Sequence, residues 1–139
     1  MSAAAPLPPR RADWPEALAA FIEESRSRRF ALGQWDCALM AAECVLRLTG
    51  ADPARGLRGR YHSAAGWRRL IRPARTLEQF VTARLGAPLP PRLAGRGDVV
   101  LAVLAHGQTL GVCAGRFALF AGDAGSVRVP LMACLWAWR

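Results

Sequence analysis

Asp36-Cys37, heading the apolar run QWDCALMAAECVLRLTG, is the segment of this chain best equipped for chemistry. With Asp36 as helix N-cap, Cys37 falls in the first turn, where unpaired backbone N–H groups and the helix dipole favour a thiolate. A thiolate in that position is a nucleophile, and nucleophilic catalysis also needs a base, usually histidine, within hydrogen-bond reach. The chain has two histidines, His62 and His106. His62 follows Tyr61 in an arginine-rich stretch and reads as a surface residue, whereas His106 sits in a predicted turn. The alternative role for Cys37 is that of a small core residue, which apolar neighbours also assign to Cys44, Cys113 and Cys134. No CxxC pair or metal-ligand spacing is present, so neither a metal site nor a cofactor is expected.

Two further groups of residues are candidates for binding. Trp35 beside the cysteine either lines a substrate groove or is buried between helix and sheet, with burial favoured for so large an apolar ring. Arg58, Arg60 and Tyr61 in the RGRY segment either bind a carboxylate or phosphate through guanidinium groups or form a solvated loop. Both readings stand at this stage.

The elements that must position these residues follow from caps and periodicity. Asp13, Pro15 and Glu16 predict a helix from about 13 to 28, with Trp14, Leu18, Phe21 and Ile22 as its buried stripe. A second helix runs from Asp36 to Leu48, with Gly50 just beyond as its C-terminal glycine. Ser63 starts a short third helix, and Thr76 with Gln79 starts a fourth that ends before Gly86. From Asp98 onward VVLAVLA, TLGVCAG, FALFAG and SVRVPL are short apolar runs between turn residues, and Trp136 and Trp138 alternate in a terminal strand. Helices first and an antiparallel meander second predict an α+β domain with N-terminal helices packed on a C-terminal sheet.

At 139 residues the chain has room for one domain, expected over 13–139, with 1–12 as a flexible N-terminal arm. Hydrophobic residues at 53% and charged ones at 21% exclude a disordered chain. No apolar run is long enough for a membrane-spanning helix, and MSAAAPLPPRRADW lacks the apolar core of a signal peptide. All 19 basic residues are arginine. Between Pro53 and Gly97 lie ten arginines and a single acid, Glu78, so this block carries the whole net charge of +9. It is either a solvated face or a surface for an acidic partner. Its few aromatics, Tyr61, Trp67 and Phe80, place nucleic acid last among such partners.

Asp36-Cys37 opening an amphipathic helix, followed downstream by Arg96-Gly97-Asp98-Val99-Val100 and Leu110-Gly111-Val112-Cys113-Ala114-Gly115, resembles the NlpC-type cell-wall peptidases. These are papain-like cysteine hydrolases. The combination WDCALMAAECV, TGADPARGLRGRY, GDVV and a terminal AWR is similar to an uncharacterised family encoded in phage and prophage tail gene clusters. The resemblance implies a papain-like fold with Cys37 as nucleophile and Asp36 before it. It also implies a departure, because the position of the family's histidine, two residues before Gly111, holds Thr109. Threonine is no general base near neutral pH, and loss of such help costs about 10²–10⁴-fold in rate. His106, three residues upstream, is the candidate substitute.

Two functions are therefore expected to compete. The first is a non-catalytic component of the tip region of a phage tail or tail-like particle, located in the virion and contacting other tail-tip proteins. The second is an active cysteine peptidoglycan endopeptidase or amidase used in host cell-wall penetration, with peptidoglycan as its substrate.

Overall fold

The structure is a computed structural model that describes residues 7–139. Four helices come first: α1 (Trp14–Ser25), α2 (Cys37–Thr49), α3 (Ala64–Ile71) and α4 (Leu77–Leu85). Five strands follow: β1 (Val99–Leu104), β2 (Gly107–Cys113), β3 (Phe117–Phe120), β4 (Val127–Pro130) and β5 (Trp136–Trp138). The class is α+β, in the expected order of elements.

Caps fix the helix starts. Asp36 accepts from the Leu39 N–H at 2.9 Å, Ser63 from Gly66 at 3.0 Å and Thr76 from Gln79 at 3.1 Å. Each satisfies a first-turn donor that the helix itself leaves unpaired. Gly50 ends α2 at φ +83°, a backbone state that glycine adopts without a steric penalty. Asp13 departs from expectation. Its carboxylate pairs with Arg11 at 3.1 Å and makes no cap bond, so the anticipated capping box with Glu16 does not form.

The strands form one antiparallel sheet in the order β4-β3-β2-β1-β5. Successive side chains alternate between its faces. Val99, Leu101, Leu110, Val112 and Trp138 point toward the helices, against Leu39, Met40, Cys44 and Leu48 of α2. Val100, Ala102, Cys113, Phe120 and Ala137 point the other way, into a second apolar layer closed by Leu131 and Cys134. Both faces of the central strands are thus buried. Complete burial of one of these leucine or valine side chains contributes about 1.5–3 kcal/mol, and helix α2 rests on many of them. Among the described residues no helix is long and apolar enough to cross a membrane.

Asp98, at the head of β1, is 1% exposed and gathers distant parts of the chain. It accepts from the Gly95 N–H at 2.7 Å, pairs with Arg10 at 2.7 Å and lies 3.8 Å from Arg139. The local bond to Gly95 is the turn role expected of an aspartate here. The bond to Arg10 bears on the N-terminal segment. Residues 1–6 lie outside the described residues, while 7–12, expected as part of a loose arm, lie against the domain. Leu7 packs on the core, and the Arg11 N–H donates to the Leu48 carbonyl at 2.7 Å.

Candidate functional site

The start of α2 is built around the Asp36 carboxylate. One oxygen caps Leu39, and the other accepts from the Gly33 N–H at 2.9 Å and the Tyr61 hydroxyl at 2.5 Å. Gly33 is required there because its φ is +81° and an added Cβ would lie 2.9 Å from the Tyr61 carbonyl oxygen. Burial and the adjacent carboxylate push the Tyr61 hydroxyl well above the usual phenol range, so it stays a proton donor. Asp36 and Tyr61 are 4% and 3% exposed. They hold the loop before α2 against the segment before α3, and with Cys37 they form the cluster the structure brings together.

Cys37 is half-buried on the helix-facing side of the sheet, packed against the core that includes Leu110. Burial pushes its thiol up to about 11. The Leu110 N–H and the first-turn amides of Ala38 and Cys37 oppose that rise, while the Asp36 charge adds to it. The helix terminus is therefore present, but desolvation outweighs it. At neutral pH the thiol is protonated and about a hundredfold poorer in thiolate than an ordinary cysteine.

No base faces this thiol from β2. Leu110 stands opposite Leu101 and points into the helix-side core, so its neighbour Thr109, opposite Ala102, points to the other face. Thr109 is 2% exposed, donates to the Gly107 carbonyl at 3.0 Å and lies 3.3 Å from His106 Nε2. His106 is exposed in the β1–β2 turn, beside a groove shared with Phe120 and Val129 on that same far face. The structure thus separates Thr109 and His106 from Cys37 by the thickness of the sheet. Neither residue can take a proton from the thiol in this arrangement: Thr109, at the position of the family's histidine, faces away from Cys37, and His106 does not stand in for it.

The remaining candidates have structural partners. Trp35 is 3% exposed, its ring 5.9 Å from Phe21 with the Arg28 guanidinium 4.0 Å above it, so it lines no groove. Arg58 holds Asp52 through two bonds, at 2.9 and 3.2 Å, and lies 3.8 Å from Glu43. Arg60 and His62 are exposed. Among the described residues no three His, Cys, Asp or Glu side chains cluster as a metal site would need.

The model of a family described as Domain of unknown function (DUF6950) matches residues 9–139. The chain belongs to this family. The match takes in every element of the fold, from Arg10 beside Asp98 to β5, so the Asp36–Cys37–Tyr61 cluster and the Asp98 cluster are both parts of the domain that defines the family. No curated protein matches the chain.

Leu110 and Gly33 are the site residues that sequence reasoning missed. An apolar residue in a strand carries no chemical signal, although the Leu110 amide is what the thiol meets. Gly33 lies in a loop with no motif, three residues before the cap it serves.

Proposed function

We propose that the protein is a non-catalytic structural component of the tip region of a phage tail or tail-like particle, built on a degenerate NlpC-type, papain-like domain. One observation carries the non-catalytic half: the Cys37 thiol is protonated and faces Leu110, while Thr109 and His106 lie across the sheet. A nucleophile without a base in reach, and with its own ionisation suppressed, retains neither of the two means by which cysteine hydrolases work. What remains is a scaffold. Asp36, rather than assisting chemistry, spends its carboxylate on three donors that fix the head of α2. The assignment to a tail rests on the likeness of WDCALMAAECV, TGADPARGLRGRY and GDVV to the tail-cluster family. In this reading the partners are neighbouring tail-tip proteins and the protein resides in the virion.

The test is digestion of purified peptidoglycan by the wild-type protein, Cys37→Ala and His106→Ala, beside an active NlpC-type enzyme on the same sacculi. The expected result is no release of stem-peptide fragments by any of the three. Release that vanishes in Cys37→Ala overturns the non-catalytic half and establishes the peptidase. Peptide mass spectrometry of purified particles tests the other half, and a particle preparation free of the protein overturns it.

A further inference from the structure

The arginines of this chain fall into two populations. Of the nine outside residues 53–97, five pair with a carboxylate: Arg10, Arg11, Arg26, Arg47 and Arg139. Arg28 and Arg128 lie over the rings of Trp35 and Phe117, and only Arg29 and Arg116 make neither kind of contact among the described residues. Inside the block, among the described residues, Arg58 alone has an acidic partner, and Arg84 is drawn in over Phe80 to donate to the Pro53 carbonyl at 3.2 Å. The other eight are exposed and make no ion pair. Three of them, Arg68, Arg69 and Arg72, belong to α3 and the 3₁₀ turn that extends it, Arg72–Ala74, and Arg75 caps that turn.

The helix that carries them is incompletely covered. At 3.6 residues per turn Trp67, Leu70 and Ile71 share one side of α3, and arginines flank it on the wheel, Arg68 next to Ile71 and Arg69 beyond Leu70. An amphipathic surface helix ordinarily buries its apolar stripe. No residue of α3 is fully buried; Trp67, Leu70 and Ile71 pack on the core yet remain half-exposed. An aromatic and two aliphatic side chains left partly open and rimmed by unpaired arginines have the composition of a protein interface centre, where Trp and Arg dominate binding energy.

We propose that this face of α3 docks an acidic segment of a partner protein that also carries aliphatic side chains. Carboxylates would meet the arginines, whose planar forks suit bidentate pairing, and the aliphatic groups would complete the cover over the apolar stripe. Nucleic acid fits less well. The three aromatics of the block pack on one another, tilted for Tyr61–Trp67 with centroids 5.1 Å apart and edge-to-face for Trp67–Phe80 at 5.6 Å, and with Tyr61 and Phe80 buried only Trp67 is left partly open, too little for a platform of successive bases. This surface deepens the proposed tail role by describing a partner, but it does not depend on Cys37 being inert.

The experiment uses the full-length protein and three labelled probes in fluorescence anisotropy: a peptide of repeating Glu-Glu-Leu, poly-glutamate of equal length, and a DNA duplex. The Glu-Glu-Leu peptide is expected to bind tightest. Replacing Arg68, Arg69 and Arg72 together by glutamine is expected to weaken it by about tenfold, with the circular dichroism of the fold unchanged. The same three changes made at Arg11, Arg26 and Arg116 should leave binding unaltered. Equal or tighter binding of DNA, no preference for leucine over plain poly-glutamate, no binding at low salt, or equal loss in both triple variants each overturns the proposal. None of these outcomes bears on peptidoglycan hydrolysis, so this inference and the proposed function can fail separately.

Discussion

Alkylation of Cys37 by iodoacetamide offers a quantitative test of the site. Because only the thiolate reacts, the rate follows its population. A thiol held at about 11 has about a hundredfold less thiolate below pH 9 than an ordinary cysteine near 9. Cys37 is half-buried, whereas Cys44, Cys113 and Cys134 are buried and serve as internal silent controls; the pH at which the rate levels off separates ionisation from access, which scales the rate without moving that pH. The assay is peptide mapping by mass spectrometry after timed labelling of native protein from pH 6 to 11, beside the same protein in urea. Native Cys37 should label about a hundredfold more slowly than in urea at pH 7.5, and its rate should keep rising about tenfold per pH unit past 9, where the urea sample levels off. A native rate that levels off below pH 8.5, or exceeds the rate in urea, would refute the reasoning, because the helix terminus would then have outweighed burial.

Other consequences can be checked alongside. Thr109→His should leave the Cys37 labelling profile unchanged, because residue 109 faces away from α2; a lowered inflection would show that the β2 register is wrong. Tyr61→Phe removes one of three bonds to a buried carboxylate and should cost about 1.5–3 kcal/mol in denaturant unfolding, whereas a loss below about 0.5 kcal/mol would deny the clamp its role. Gly111→Ala should destabilise strongly, since its Cβ would collide with the Leu119 carbonyl and lie 2.7 Å from the Phe120 ring; an unchanged Tm counts against the β2–β3 packing. Burial raises the folded thiols of Cys44 to about 12 and Cys134 to about 11, so their contribution is full below the unfolded value near 9 and is lost as pH rises from there toward 11–12. Cys44 should withdraw roughly 1.4 kcal/mol by pH 10 and Cys134 less, seen as a falling Tm between pH 8.5 and 10.5; a flat Tm over that interval would contradict the burial.

Local signals in the sequence carried much of the fold. The capping residues at Asp36, Ser63 and Thr76 act three positions ahead, within a single turn, and all three form the bonds their types imply. Gly50 ends α2 for the same local reason. Asp13 differs in its backbone: with ψ near 19° it lacks the extended conformation of the other three caps, and its carboxylate turns to Arg11 instead. The parity of β2 was not legible. In a sheet covered on one face, alternation of apolar and polar residues reveals which side chains point inward, but TLGVC is buried on both faces and alternates nothing. The sequence therefore did not reveal that Leu110, and not Thr109, points to the Cys37 side of the sheet. The Tyr61–Asp36 bond was equally hidden, because it spans 25 residues and joins two segments that no local rule connects.

Asp98 brings Arg10 and Arg139 to one point, so the first and last stretches of the described chain leave the domain side by side. This has a mechanical consequence. Tension applied through both ends would first load two guanidinium contacts to one carboxylate and only after them β5, which β1 holds on one side and Leu89 on the other through bonds of 2.7 and 2.8 Å to Ala137. A neighbour attached at either end would therefore hang from the same small latch, and the rest of the domain, with the basic face of α3, would stay unstrained while the latch held.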